Sequence, residues 1–207
     1  MRKTLIFTLW AMLFLAVAGV ALVFTAIAKG KIGYVPPVEE LENPNLKFAT
    51  QIISDDGVTL GTYSYSTDNR IYVGYEDLSP YLVNALIATE DERFAEHSGI
   101  DARALARAIV KRGILQQENA GGGSTITQQL AKTLYPREDL SSSPAGIRHA
   151  KMVVIKLKEW VTAVKLERSY TKNEILCMYL NSIFFGSNAY GIKAASQTCC
   201  GKAPIDL

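Results

Sequence analysis

The sequence predicts a mainly α-helical domain that follows one transmembrane helix. The stretch from Leu5 to Ala28 carries no charged residue, and about 20 apolar residues are enough to cross a bilayer core as a helix. Strand-forming residues surround Asp56-Gly57, and helical patterns continue from Ser79 onward. With 207 residues and 48% hydrophobic content, the chain can form an anchor and one modest domain.

The N-terminal apolar stretch is flanked by Arg2 and Lys3 on one side and by Lys29 and Lys31 on the other. A cleaved signal peptide is the alternative, because "AVAGVA" offers small residues to a peptidase, but the long apolar run favours an uncleaved anchor. The basic N-terminal tail favours a cytoplasmic N-terminus with the domain outside. A net charge of +2, without a basic stripe, argues against a nucleic-acid partner.

Between the anchor and the helices, Pro36, Pro37 and Pro44 predict a linker without helix. "FATQIISDDGVTLGTYSYS" predicts a β-hairpin that turns at Asp56-Gly57, and "NRIYVGY" could add a third strand. We therefore divide the chain into a cytoplasmic tail and transmembrane anchor (1–31), a linker (32–47) and one folded domain (48–207).

Several helix starts are marked by capping residues. Ser79 and Pro80 open a helix expected to reach about His97, and Asp101 caps the next. Ser124 or Thr125 can cap "TITQQLAKTLY", where Thr125 and Gln128 fit a capping box, and Thr171 forms a capping box with Glu174. A long helix is predicted from Ile147 to Arg168, and a last one in "AYGIKAASQT".

The three cysteines, Cys177, Cys199 and Cys200, are odd in number and lack metal-ligand spacing. They predict buried small side chains rather than a disulfide or a zinc site.

Glu90 is the first candidate functional residue. If the helix continues to His97, Glu90 shares a stripe with Val83, Ile87 and Phe94 and is expected to face inward, whereas Asp91 and Glu92 point elsewhere.

A second carboxylate, Glu159, lies in the long helix among Ile155, Ala163 and Leu166, with Lys156 on the same side. Burial disfavours the charged form of an acid, and a neighbouring cation favours it. The two acids could therefore have different roles: Glu90 would transfer a proton, and Glu159 would stay ionised, as in glycosyl chemistry with paired acids. Two structural carboxylates in local ion pairs are the alternative.

The segment "AGGGSTITQQLAK" combines a glycine-rich loop with a helix start, which can bind an anion such as a phosphate. It does not fit a nucleotide P-loop, and a plain flexible connector is the alternative. His97 lacks a partner at ligand spacing, so a structural histidine that closes a helix end is expected.

Five segments occur in a characteristic order: "EDERFAEHSG", "GGGSTITQQLAK", "KLKEW", "EILCMYLNSIFFG" and "AYGIKAAS". Together they resemble the successive motifs of the peptidoglycan glycosyltransferases, found in class A penicillin-binding proteins and monofunctional transglycosylases. The resemblance implies a mostly helical, lysozyme-like domain of two lobes. It also implies polymerisation of lipid II into glycan strands at the outer face of the cytoplasmic membrane.

The resemblance also implies residue roles. Glu90 corresponds to the catalytic acid of the first motif, and Glu159 to the second glutamate. A divalent cation, Mg or Mn, held with Glu159 is left open. Implied partners are the growing glycan strand, membrane lipid and cell-wall synthesis proteins. The implied substrate-binding residues are Asp91, Phe94, Ser124, Thr125, Gln128, Gln129, Lys132, Lys156, Lys158 and Asn181.

The chain departs from this pattern in three places. Ile155 stands where the family usually carries arginine before Lys156, which puts one diphosphate contact in doubt, and "QTCCGK" replaces a usual aromatic pair. The family's domain continues past "GKAPIDL", so we expect a C-terminally truncated domain whose own activity is open. A lytic enzyme acting on glycan and a non-catalytic membrane-anchored scaffold are the alternative functions.

Overall fold

The computed structural model describes residues 2–42, 50–63, 70–108, 110–111, 122–137, 140–141 and 144–207. Its first helix, α1 (Arg2–Ala28), is long and apolar enough to cross a membrane over Ile6–Ala28. Large apolar side chains along it, including Phe7, Trp10 and Phe14, are exposed. This agrees with the predicted anchor, because a helix in lipid presents apolar side chains outward.

The rest of the described chain is mainly helical, as predicted. The elements are α2 (Val38–Glu42), β1 (Thr50–Ile53), β2 (Thr59–Tyr63), α3 (Pro80–Glu90), α4 (Ala102–Ala108), α5 (Ile126–Leu134), α6 (Ala145–Ser169), α7 (Lys172–Ser182) and α8 (Ile192–Cys200). Single turns of 3-10 helix lie at Tyr75–Asp77, Phe94–Glu96 and Pro204–Asp206.

The predicted hairpin is present, with β1 antiparallel to β2 and Thr50 opposite Tyr63. The suggested third strand is not found over residues 70–75, the described part of its segment, and Tyr75 begins a 3-10 turn instead. Asn181 explains this difference: its Oδ1 accepts from the Val73 N–H at 2.9 Å and its Nδ2 donates to the Val73 carbonyl at 2.8 Å. These contacts satisfy backbone groups that a strand would pair.

The main core lies where α5 packs against both α6 and α7. Leu130, Leu166, Ile175 and Leu180 are almost completely buried there. The capping box predicted at Thr171 and Glu174 begins α7. The core therefore holds α5, whose N-terminus carries the candidate site, between two longer helices.

Helix α6 has two packed faces. Val161 packs with Ile27 and Val35, and Trp160 stacks on Phe24 of α1 at a centroid distance of 6.2 Å. On the other face, Leu166 is fully buried in the main core. This double packing explains how a long helix joins the apolar N-terminal helix to the domain.

The prediction that residues 32–47 form a linker without helix is wrong in its described part. Helix α2 lies within it, and Leu41 is fully buried in the main core. Tyr170 donates its hydroxyl to the Leu41 carbonyl at 2.5 Å. The segment packs on the domain because α2 places one apolar side chain inward. Residues 43–47 lie outside the described residues.

The cysteine prediction is confirmed in part. All three cysteines are free, and Cys177 is buried, whereas Cys199 and Cys200 at the end of α8 are exposed. The prediction of burial is therefore wrong for Cys199 and Cys200.

Candidate active site

Glu90 lies at the C-terminal end of α3, on the wall of a cleft of about 420 Å³. We call this the acid cleft. Its other polar lining residues are Thr89, Asp91, Glu92, Arg93, Asp101, Arg107, Ser124, Thr125 and Gln129.

The expectation that Glu90 faces inward is wrong, because its side chain is exposed. Helix α3 ends at Glu90 rather than near His97, since Asp91 leaves helical geometry at φ −158° and ψ 72°. Phe94 and His97 therefore do not continue the apolar stripe. The acid belongs to the cleft surface and not to the core.

Gln129 orients Glu90. Its Nε2 donates to Glu90 Oε2 at 2.6 Å, and its Oε1 accepts from the Tyr179 hydroxyl at 2.9 Å. Burial, together with the negative charge of Glu90, raises the pKa of Tyr179 to about 12. Tyr179 therefore stays protonated at neutral pH and can donate to the amide oxygen of Gln129, while the carboxylate of Glu90, which only accepts, takes the amide nitrogen.

Asp91 is the buried acid of the "EDE" run, at 7% exposure. Its carboxylate contacts His97 Nε2 at 3.0 Å and accepts from the Ile126 N–H at 3.1 Å. A negative charge at the first turn of α5 is favourable because the helix dipole is positive there. Asp91 thus connects the loop after α3 to α5, and His97 pairs with it from the end of the 3-10 turn Phe94–Glu96 rather than from the end of α3. The expectation that Asp91 points away is wrong.

Thr125 caps α5 by accepting from the Gln128 N–H at 3.2 Å. The predicted return bond of a capping box is replaced: Gln128 Nε2 donates to the Gly99 carbonyl at 3.0 Å, and Thr125 Oγ1 donates to it at 2.8 Å. Gly99 has φ +90°, and a Cβ there would lie 2.9 Å from the Ala163 backbone. Only glycine suits this close approach.

Glu159 is a buried carboxylate with two cations beside it, at 7% exposure. Lys156 Nζ lies 3.1 Å from its Oε2, and Arg137 Nε lies 2.6 Å from its Oε1. The hydrogen bond to Glu159 raises the pKa of Arg137. The Lys156 neighbour was predicted. Arg137 was not, because it follows α5 and belongs to none of the five segments.

Lys156 also links Glu159 to the acid cleft. Its Nζ donates to Ser124 Oγ at 2.8 Å, and Ser124 lines the cleft. Glu159 itself is buried behind Lys156. Among the described residues, Glu90 and Glu159 therefore share no cavity: Glu90 lies exposed on the cleft wall, and Glu159 is connected to the cleft only through Lys156 and Ser124.

Other predicted substrate-binding residues lie elsewhere. Phe94 is buried beneath Lys172, whose Nζ is 4.1 Å from the ring centroid, and Asn181 is fully buried against Val73. Lys158 lines a separate cavity of about 190 Å³. Lys132 is exposed in the last turn of α5, at the opposite end from Thr125. Of the predicted site residues, the cleft thus brings together Glu90, Asp91, Ser124, Thr125 and Gln129.

Glu159 does not fit as a ligand of Mg or Mn. Each of its oxygens already accepts from a cationic side chain, Arg137 on one and Lys156 on the other. A divalent ion bound to either oxygen would lie close to Arg137 or Lys156, and like charges at such distances repel.

Asp91, His97 and Asp101 also bring potential ligand atoms within 4.8 Å of one another. Asp101, however, pairs with Arg93 and accepts from the N–H groups of Arg103 at 2.9 Å and Ala104 at 3.0 Å. Burial would raise the pKa of Asp101, but these hydrogen bonds and Arg93 together lower it. The cluster is explained by helix capping and ion pairing.

The family model for transglycosylase matches residues 56–207, more than half of the chain, which therefore belongs to the transglycosylase family. The chain is similar to penicillin-binding protein 1F of Bacillus subtilis, with 40% identity over 162 residues that cover 78% of this chain and 21% of the relative. It is also similar to penicillin-binding protein 1A of Pseudomonas aeruginosa, with 34% identity over 202 residues. These residues cover 96% of this chain and 22% of the relative.

Penicillin-binding protein 1A of Escherichia coli is 36% identical over 173 residues, which cover 84% of this chain and 19% of the relative. The chain thus spans about a fifth of the length of these curated relatives.

Proposed function

We propose that this chain is a peptidoglycan glycosyltransferase that polymerises lipid II into glycan strands and releases undecaprenyl diphosphate. The observation that carries the proposal is the acid cleft itself. It presents an exposed carboxylate, Glu90, oriented by Gln129, and it is joined through Ser124 to the cation Lys156.

Glu90 is proposed as the general base. A sugar 4-hydroxyl is a poor nucleophile, so its proton must be taken by a group within hydrogen-bond reach as the new bond forms. Gln129 holds Glu90 Oε2, which leaves Oε1 to face an acceptor bound in the cleft. Bound substrate would exclude water from the cleft and strengthen this interaction.

The leaving diphosphate needs charge stabilisation rather than protonation. Lys156 is 33% exposed and contacts both Ser124 and Glu159. An ammonium group held in place in this way can stabilise negative charge that develops on the departing phosphate oxygen. Displacement from the opposite face of the donor sugar inverts the anomeric carbon, from α in the lipid-linked donor to β in the product.

The membrane part of the proposal rests on α1, which packs on α6 of the domain. A polyprenyl-linked substrate is confined to the membrane, so an anchored enzyme meets it without leaving the surface. We place the domain on the extracytoplasmic side. The growing glycan strand, cell-wall synthesis proteins and a lysozyme-like arrangement of two lobes belong to the same proposal.

The test is to incubate the full chain in detergent with purified lipid II and, separately, with finished cell-wall sacculi. The proposal expects glycan polymer from lipid II and no soluble fragments from sacculi. Fragments from sacculi without polymer from lipid II would instead show a lytic enzyme. Equal rates for the wild type and Glu90→Gln, including zero for both, would support a non-catalytic scaffold.

A further inference from the structure

A cavity of about 400 Å³ lies where α1 meets α6, and we call it the junction cavity. Its lining combines apolar side chains, among them Phe24 and Trp160, with three cations: Lys29, Lys165 and Arg168. None of its described lining residues is an acid. We propose that the junction cavity binds the headgroup of an anionic phospholipid from the surrounding membrane. The inference goes beyond the proposed function, because this lipid is neither a substrate nor a product.

The junction cavity lies at the depth of a phospholipid headgroup. The helix that is apolar enough to span a membrane ends at Ala28, which lines the cavity together with Phe24 and the next residue, Lys29. Trp160 of α6 stacks on Phe24, and tryptophan is typical of the boundary between membrane and water. A lipid bound here would lay its acyl chains along α1 and its phosphate among the cations.

Two of the cations are available to an anion. Lys29 and Arg168 are exposed, and neither side chain has a hydrogen bond or an ion pair with another residue in the described part of the chain. A guanidinium presents several N–H donors in a planar fork that matches phosphate oxygens. The positive charge in the junction cavity is therefore uncompensated and suited to a phosphate.

The third cation, Lys165, is held in position. Its Nζ donates to the Pro36 carbonyl at 2.8 Å, and an ammonium group has two further donors. Burial lowers the pKa of Lys165, and the charge of Glu39 offsets this only in part. A phosphate beside Lys165 would favour its charged form.

A general attraction between basic residues and an anionic membrane makes a different prediction. That attraction depends on the number of charges near the surface rather than on a cavity. Lys31 provides the matched comparison, because it is exposed and lies two residues after Lys29 but does not line the junction cavity. Only a built site distinguishes these two lysines.

The experiment uses the full chain in vesicles that contain phosphatidylglycerol in an excess of phosphatidylcholine. Trp10→Phe is introduced in every sample, so that Trp160 is the single tryptophan. Bromine on the acyl chains of one lipid or the other quenches its fluorescence, and the two results at a fixed lipid mixture give the preference for phosphatidylglycerol. The variants are Lys29→Gln, Arg168→Gln and the control Lys31→Gln, and melting temperatures confirm that each is folded.

We expect brominated phosphatidylglycerol to quench Trp160 more than its mole fraction predicts. Lys29→Gln and Arg168→Gln should each weaken this preference by about fivefold, as for the loss of one basic residue near an anionic headgroup. Lys31→Gln should keep the wild-type preference. The proposal is overturned if quenching of the wild type follows the mole fraction, or if Lys31→Gln weakens the preference as much as Lys29→Gln does.

Competition separates a phospholipid from a polyprenyl diphosphate in the same cavity. Unlabelled phosphatidylglycerol should relieve the quenching by its brominated form, and an equal amount of farnesyl diphosphate should relieve it less. Equal or greater relief by farnesyl diphosphate would assign the junction cavity to a polyprenyl diphosphate and overturn the proposal. Polymerisation of lipid II plays no part in these measurements, so failure of the proposed function leaves their result unchanged.

Discussion

Gln129 bridges Glu90 and Tyr179, donating to the carboxylate at 2.6 Å and accepting from the phenol at 2.9 Å. An amide that must donate on one side and accept on the other has only one acceptable orientation. An exposed acid on the cleft surface is thereby attached, through one side chain, to a tyrosine buried in α7.

Tyr179→Phe tests this bridge. Without the phenol hydroxyl, Gln129 Oε1 loses its donor, so the Gln129 side chain is held less firmly and positions Glu90 less well. We expect kcat/KM with lipid II to fall about fivefold, as for the loss of one neutral hydrogen bond. Tyr81→Phe, at an exposed position of α3, is the control and should keep the wild-type value. An unchanged rate for Tyr179→Phe would contradict the orienting role.

Gly99→Ala tests the contact between the loop after α3 and α6. Gly99 has φ +90°, and a Cβ added there would lie 2.9 Å from the Ala163 backbone. The variant therefore suffers both backbone strain and a steric clash. We expect the free energy of unfolding to fall by about 2–4 kcal/mol.

Gly201→Ala separates the two effects of Gly99→Ala, because Gly201 has φ +63° but no atom near the added Cβ. It should lose only about 1 kcal/mol of stability. Equal losses for both variants in denaturant titrations would show that the close approach to Ala163 does not matter.

Asp101→Asn tests a pH-dependent contribution to stability. The pKa of Asp101 is lowered in the folded protein, so its charged form stabilises the fold above the unfolded pKa of about 3.9. We expect the variant to be about 1 kcal/mol less stable at pH 7.

The stability difference between Asp101→Asn and the wild type should shrink as the pH falls below about 4 and through the lowered pKa of the folded protein. In that range the wild-type carboxyl becomes protonated and, like asparagine, loses its charge. Thermal unfolding in detergent across this range measures it. A constant difference down to pH 2 would rule out the charge as its source.

Glu159→Gln tests the ion pairs behind the cleft. The substitution keeps the shape but leaves Arg137 and Lys156 facing each other without a carboxylate. Because both cations are about one-third exposed, water offsets part of the cost, and we expect a loss of about 1–2 kcal/mol. Glu96→Gln, at an exposed position, should lose less than about 0.5 kcal/mol. If high salt leaves the Glu159→Gln difference unchanged, the interpretation by charge is wrong.

Features that depend on neighbouring residues could be predicted from the sequence. Ser79, Thr125 and Thr171 cap helices as expected because capping uses side chains within one turn. The long helix α6 extends by only a residue or two beyond its predicted ends. Glu159 and Lys156 meet because they lie three residues apart on one helix.

Features set by distant contacts could not be predicted. The helix carrying Glu90 ends because Asp91 binds the backbone of Ile126, on another helix, so a helical wheel extended to His97 placed the acid on the wrong side. Arg137 reaches Glu159 across the fold, and no local pattern marks it. The five sequence segments identified Glu90 and Gln129 as candidates. The hydrogen bond between their side chains is visible only in the structure.

The rate of lipid II polymerisation by Glu90→Gln, compared with Glu92→Gln in the same cleft, tests the central claim most directly. Glutamine has nearly the same shape as glutamate and can still contact Gln129. It cannot take the proton from the hydroxyl of the acceptor sugar. The account predicts a fall of at least about 100-fold in kcat for Glu90→Gln and no more than about threefold for Glu92→Gln. A Glu90→Gln variant that retained more than about a third of the wild-type kcat would contradict the assignment of Glu90 as the base.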